Sequence, residues 1–439
     1  MNIIFKLTYF LIIMTLSNTT LANVEIVNYV TKNGTKVLYT RSENIPMIDI
    51  QITFDAGSSK DGKLKGLSMI THNLLDEGTS DMNSESIASV FESTGAIFNA
   101  SVSKDKSSVS LRSLTEKKYL EPSLKMFQKI LSDSTFPSNE INLQRERTVS
   151  SIKEDELDPS EISINSFFTE IYGDFSYAYP TNGLSNTVEK IKRKDILDFY
   201  KKNINRANAT IVIVTSLPKR EIINIAEKIS KSLLPGEKIS YLIKEPSKIQ
   251  QGKYIHKKYN SEQAHIYIGG LAIKRGSKNQ LPLYVANYIF GGSGFNARLM
   301  QELRVKRGLT YGVYSYMYPM KEIGPFVIGI ETKADQAQES IKLIHNMLKD
   351  YHQNGPTEKE IKHAKQAIIN GFPLRIDSNR DILNYLSMIG YYNLPLDYLN
   401  TFTSKISKIS KKDIIKAFQD EIDIEKLITL VVGNEASQK

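Results

Sequence analysis

Two stretches of this 439-residue chain place polar side chains at spacings that could do chemistry. The first, residues 66–79, reads GLSMITHNLLDEGT and sets His72 four residues before Asp76. On a helix that is one face, where the pair could touch a metal weakly or form a hydrogen-bonded surface pair. The second, residues 291–314, reads GGSGFNARLMQELRVKRGLTYGVY and sets Arg304 seven residues before Tyr311. A guanidinium and a phenol are donors suited to a carbonyl oxygen, above all one that gains negative charge in a reaction. Taken alone, the two read as an exposed helix arginine and a strand tyrosine. Gly291, Gly292 and Gly294 open the same stretch, but no G-K-[ST] accompanies them and no P-loop frame precedes them, so a phosphate cradle is not expected.

Elsewhere reactive side chains are sparse. The chain has no Cys, which removes disulfides, Cys-ligated zinc, iron–sulfur clusters and thiol nucleophiles together. His256, His265, His345, His352 and His363 show no ligand spacing, and no H-x-x-E-H, H-E-x-x-H or G-x-S-x-G occurs. The formal charge of +9 is spread along the whole chain, so no nucleic-acid partner is expected.

The elements that position these residues repeat once. Ile191–Tyr200 (IKRKDILDFY) matches Ile409–Phe418 (ISKKDIIKAF) at an offset of 409 − 191 = 218, and Thr210–Val214 then lands on Ile428–Val432. Each half is therefore expected to close on an amphipathic helix and a buried strand. The halves also open alike. Alternating strands at Ile48–Phe54 and His265–Ile268 are broken at Gly57-Ser58 and Gly276-Ser277. Helical patterns follow, on Leu67, Ile70 and Leu74 up to Gly78, and on Leu283, Ala286 and Ile289 up to Gly291. Further alternating segments lie at Ser107–Leu114 and Phe326–Glu331. Such mixing of strands and helices without strict βαβ alternation predicts an α+β fold, two similar sheet-plus-helix domains at 23–235 and 254–439. The connection, 236–253, is Pro-, Gly- and charge-rich around LPGEK and KEPSK. Residues 1–22, with Lys6, an apolar stretch from about Leu7 to Leu16, and Thr20 and Ala22 before Asn23, have the architecture of a signal peptide. Beyond them no apolar run reaches the ~20 residues of an integral membrane span. The expected location is thus exported, the periplasm if the source is a Gram-negative bacterium and otherwise secreted.

With these residues in place, the chain resembles the pitrilysin/insulinase-type metallopeptidases, the inverted zincins and their processing-peptidase-like relatives. Their helix pattern G-x-x-H-x-x-E-H-x-x-x-x-G-T keeps Gly66, Gly78 and Thr79 here. Met69 stands for the first zinc histidine, His72 for the general-base glutamate, Asn73 for the second histidine, and Ser151 for the third ligand, with Glu154 and Glu156 nearby. The resemblance implies no metal in this chain. The family's second signature is kept: Arg298-Leu299, Leu303-Arg304, Gly308-Leu309 and Tyr311 all fit it. It implies that Arg304 and Tyr311 bind substrate, with Gly291, Gly292 and Gly294 shaping the loop near the chamber. A subunit that has lost the zinc motif but keeps this pair implies a zinc-bearing homologous partner, a heterodimer and an unstructured peptide substrate, the zinc residing in the partner. The rival readings are a zinc endopeptidase acting alone with improvised ligands around His72, and a chaperone-like peptide binder without cleavage.

Overall fold

Eleven strands among the described residues of this computed structural model form two sheets, of six and five strands, that share one five-strand arrangement. The structure describes residues 24–43, 45–238, 245–247 and 249–434; the expected signal peptide and part of the 236–253 connection lie outside them. Strands β1 (Val27–Val30), β2 (Lys36–Arg41), β3 (Met47–Phe54), β4 (Ile97–Val102), β5 (Ser107–Leu114) and β6 (Ala209–Thr215) make one sheet, in the order β1-β2-β6-β3-β5-β4. Strands β7 (Lys253–Lys258), β8 (Gln263–Ile273), β9 (Thr310–Met317), β10 (Gly324–Lys333) and β11 (Ile428–Gly433) make the other, in the order β7-β11-β8-β10-β9. Apart from β1 the orders coincide, and so do the directions: β2–β6 and β7–β11 are the parallel pairs. Register agrees as well. Leu38 and Gln51 flank Val212 as Ile255 and Tyr267 flank Leu430, offsets of 255 − 38 = 217 and 267 − 51 = 216 beside 430 − 212 = 218.

One face of each sheet carries its own half's helices. Ile48, Ile50, Ile52 and Phe54 of β3 enter the first core with Leu67, Ile70 and Leu74, as the period-two pattern requires. The opposite faces are covered by an exchange. Helix Asn379–Tyr392 of the second half packs on β3 and β6, and helix Pro159–Tyr172 of the first half packs on β8 and β11. These helices are themselves equivalent, 379 − 159 = 220 apart. The exchange explains why Ile211–Val214 is apolar throughout: Ile211 and Ile213 face the first core while Val212 and Val214 meet the exchanged helix. It also buries the polar positions of β3, where Ser387 of that helix lies 3.1 Å from the Gln51 amide nitrogen and 2.9 Å from Thr53 Oγ1. Gly390 permits the close fit, since a Cβ there would come within 2.9 Å of Thr210 Cγ2.

Two details differ from the sequence expectation. The first half does not close on β6 but continues into helix Lys219–Ser232, whose Ile222, Ile225 and Ile229 join the first core. The helix expected up to Gly291 is α-helical only over Gln280–Asn287 and runs on as a π-helical turn, Tyr288–Gly292.

Candidate functional site

The helix that would carry zinc chemistry spans Leu67–Asn73. Gly66 enters it at φ +96°, where a Cβ would lie 2.7 Å from the Asn182 carbonyl. The Asp61 carboxylate receives the Gly66 and Ser68 N–H groups at 2.8 and 2.9 Å. Burial lifts the pKa of that carboxyl to about 6 against the pull of these donors. Met69 and Asn73 are half-buried, and Ser151 is exposed on helix Ser138–Asp155, which packs against the first helix. No cluster of three or more His, Asp or Glu side chains among the described residues is placed to hold a metal ion.

His72 is not the surface residue that its spacing to Asp76 suggests. Its side chain is fully buried, with Nδ1 2.8 Å from the Ser68 carbonyl oxygen and Nε2 without a hydrogen-bond partner among the described residues. The helix is covered on this side as well, so the imidazole packs inside as a neutral ring, and burial lowers its pKa from 6.5 to about 4. Because the folded chain binds this proton more weakly than the unfolded chain, the unfolded state takes it up first on acidification. The contribution of His72 to stability is therefore intact above about pH 6.5 and declines down to about pH 4, by on the order of 3 kcal/mol. Urea titrations at pH 7 and pH 5 are expected to show this decline in the wild type and a smaller one in His72→Gln. An equal decline in both would remove His72 as the cause.

The second segment is built differently. Arg304 lies in a π-helical stretch, Met300–Val305, and Tyr311 lies on β9, an edge strand of its sheet among the described residues. Gly312 pairs with Glu331 and Thr310 with Thr332, so Tyr311 is the extra residue of a β-bulge. Thr310 Oγ1 holds the bulge by donating to the Glu331 carbonyl at 2.5 Å and accepting the Gly312 N–H at 3.0 Å. The bulge turns the Tyr311 ring out of the sheet, where it is 86% exposed. Arg304 reaches the same place: Nη1 donates to the Tyr311 carbonyl at 2.6 Å, and the guanidinium sits 4.6 Å above the Phe295 ring. The seven-residue spacing thus corresponds to one physical unit, with the hydroxyl of Tyr311 and further N–H groups of Arg304 on the same exposed edge.

The glycines around it do distinct jobs. At Gly291 a Cβ would fall 2.3 Å from Ser315 Oγ, so the π-helical turn rests directly on β9; Gly294 takes φ +63°. Gly292 sits against Asn287, whose side chain donates to the Ser315 carbonyl at 3.0 Å. Phe295 and Tyr314 are exposed beside the pair, and Tyr318 is exposed beyond the far end of β9; none of the three was singled out from sequence. The run of tyrosines at 311, 314, 316 and 318 was the available signal.

Comparison with known proteins bears on both segments. The family model described as insulinase (peptidase family M16) matches residues 36–183, and that described as peptidase M16 inactive domain matches residues 190–368. A solved M16 inactive domain from Pseudomonas fluorescens is 30% identical, covers 95% of this chain and 99% of its own, and superposes with a TM-score of 0.91. The chain belongs to the insulinase (M16) family. Among its M16 relatives is a Helicobacter pylori protein called non-peptidase homolog YmxG, 24% identical over 92% of this chain and 93% of the relative. Another is a Bacillus subtilis protein called uncharacterized zinc protease YmxG, 26% identical over 80% of this chain and 84% of the relative. The second half of this M16 chain thus matches a model described as an inactive domain, and its relatives are named both as a non-peptidase homologue and as a zinc protease.

Proposed function

We propose that this chain is the noncatalytic, substrate-binding subunit of an exported heterodimeric zinc peptidase that acts on unstructured peptides. The observation that carries the reading is the contrast between the two segments. The zinc helix holds a methionine, a buried neutral histidine and an amide, while Arg304 and Tyr311 form an intact donor unit on a bulged, unpaired sheet edge. An edge strand offers backbone hydrogen bonds to any extended peptide, so it can hold substrates without reading every side chain. Arg304 and Tyr311 supply donors for a backbone carbonyl, and the partner supplies zinc and the general base. Residues 1–22 support export.

The test uses chain 23–439 alone and mixed with an M16 homologue bearing intact H-x-x-E-H. Alone, it is expected to hold no stoichiometric zinc after dialysis and to cleave no unstructured peptide, because a catalytic zinc needs about three protein ligands. The mixture is expected to form a stable complex that cleaves. About one zinc per chain with cleavage by the isolated protein would establish the self-sufficient enzyme instead. Peptide binding with neither cleavage nor association in the mixture would leave the chaperone-like role.

A further inference from the structure

Beside Tyr311 the open face of the second sheet holds a cavity of about 190 Å³ between β8, β9 and β10. Its lining includes the buried His265 and Tyr267, the exposed Tyr311 and Tyr314, and Glu331. The Tyr314 ring lies across Gly329, where a Cβ would be 2.5 Å from its Cζ, and its hydroxyl is 3.4 Å from that of Tyr267. Phe167 of the exchanged helix backs the Tyr267 ring at 5.8 Å. Burial, followed by the hydrogen bond with Tyr314, raises the Tyr267 pKa, so this phenol stays neutral. His265 is 8% exposed, and its Nδ1 is buried without a hydrogen-bond partner among the described residues, 3.6 Å from the Glu331 carboxylate.

The duplication shows what is unusual about this cavity. His265 and Glu331 are opposed across β8 and β10 as Asp49 and Arg112 are across β3 and β5. In the first sheet these positions complete an ion pair, Arg112 Nε to Asp49 Oδ1 at 2.6 Å. In the second, the position of Arg112 carries an anion, and its partner among the described residues is an imidazole just beyond hydrogen-bond distance. The next strand changes too: Ile97 stands opposite Arg112, but Gly312 stands opposite Glu331, and the missing side chain opens the cavity toward Tyr311. The permanently charged guanidinium of the first sheet thus has no counterpart opposite Glu331, whose imidazole partner is cationic only when protonated.

We infer that this cavity is a subsite for a lysine or arginine side chain of the bound peptide, with Glu331 as its anion. The inference rests on the proposed peptide-binding role and deepens it. Tyr267, Tyr311 and Tyr314 offer ring faces and phenol oxygens to a long, cation-tipped side chain, and the only formal negative charge in the lining is that of Glu331. The chain as a whole is positive, so long-range attraction does not favour basic peptides; at ~0.15 M salt, screening over ~8 Å leaves the local carboxylate to decide.

The experiment measures anisotropy of a fluorescein-labelled, unstructured Ala/Gly/Ser dodecapeptide bearing two lysines, and of counterparts with norleucine or glutamate there. Binding to the intact chain is expected to favour lysine over norleucine about five- to twentyfold. Glu331→Gln is expected to abolish most of that preference while leaving the norleucine peptide unaffected, and Glu331→Lys to turn it toward glutamate. A purely structural role would weaken all three peptides alike. Asp198→Asn, a remote exposed acid paired with Lys194, serves as control and should change nothing. Peptide binding without a lysine preference, or a preference that survives Glu331→Gln, overturns this subsite while peptide binding stands. Binding of no peptide at all overturns both.

Discussion

Replacing Tyr311 by Phe is expected to slow cleavage by the proposed heterodimer about 10²–10³-fold, with assembly unchanged. The ring is 86% exposed and held in place by the bulge backbone, so removing one hydroxyl costs no packing. In the proposed role, what it deletes is a donor to the carbonyl oxygen that gains charge during attack. Arg304→Ala is expected to be at least as damaging, for two separable reasons. It removes a charged donor, and it removes the 2.6 Å bond that ties the π-helical stretch to the Tyr311 carbonyl. Arg304→Lys separates them: if bracing the bulge is the main role, Lys recovers much of the loss, whereas planar two-point donation to substrate is not recovered. Arg307, whose guanidinium is engaged by Glu302, is the neighbouring control, and its Ala variant should be mild. The measurement is kcat on one peptide at saturating subunit ratio, with association checked separately. Near-normal turnover in both the Tyr311 and Arg304 variants would reduce this chain to a scaffold.

How far the sequence could reveal these features differs from residue to residue, for physical reasons. The duplication was legible because two amphipathic helix–strand pairs at a near-constant offset leave a periodic trace, and each equivalent strand sits at the equivalent place in its sheet. The exchange of helices was not. Helix Asn379–Tyr392 shows an apolar stripe, but a stripe does not name the surface that covers it, and the sheet it covers lies more than 160 residues away along the chain. The clue was indirect: Thr210–Val214 lacks a polar face, as a strand buried on both sides must. At the candidate site the Arg304–Tyr311 spacing was visible but the bulge was not, since TYGVYSYM alternates as an ordinary strand would and Gly312 is its only irregularity. His72 misled for the complementary reason. A spacing of four places two residues on one face of a helix without saying whether that face meets water or the core.

The largest expected loss of stability comes from a single carboxylate where the exchanged halves meet. Asp105, 4% exposed in the turn between β4 and β5, accepts the Tyr392 hydroxyl and the Lys321 N–H from the second half at 2.7 and 2.8 Å. It also accepts the hydroxyl of Tyr177 from the first half, and its carbonyl takes the Tyr391 hydroxyl at 2.7 Å. The hairpin rests on bare backbone, since a Cβ on Gly57 would lie 2.4 Å from the Asp105 carbonyl carbon. Asp55 repeats the theme alongside, receiving Tyr391 at 2.9 Å and Lys321 Nζ at 2.7 Å. Burial first, and then the Asp105 charge, raise the phenol pKa values of Tyr177 and Tyr392, so both remain donors at neutral pH. Asp105→Ala would strand two buried hydroxyls and a backbone N–H between the halves, and the expected cost is about 3–5 kcal/mol. Asp105→Asn keeps an acceptor but adds two N–H donors where donors already converge, so it should recover only part of this. Tyr392→Phe, which removes a single hydrogen bond, should cost less than either. Urea unfolding of the intact chain at neutral pH, followed by tyrosine fluorescence, orders the three variants. If Asp105→Ala proves no worse than Tyr392→Phe, the carboxylate is not what fastens the exchanged halves, and the apolar contacts of helices Pro159–Tyr172 and Asn379–Tyr392, with the bonds of Asp55 and Ser387, hold them together without it.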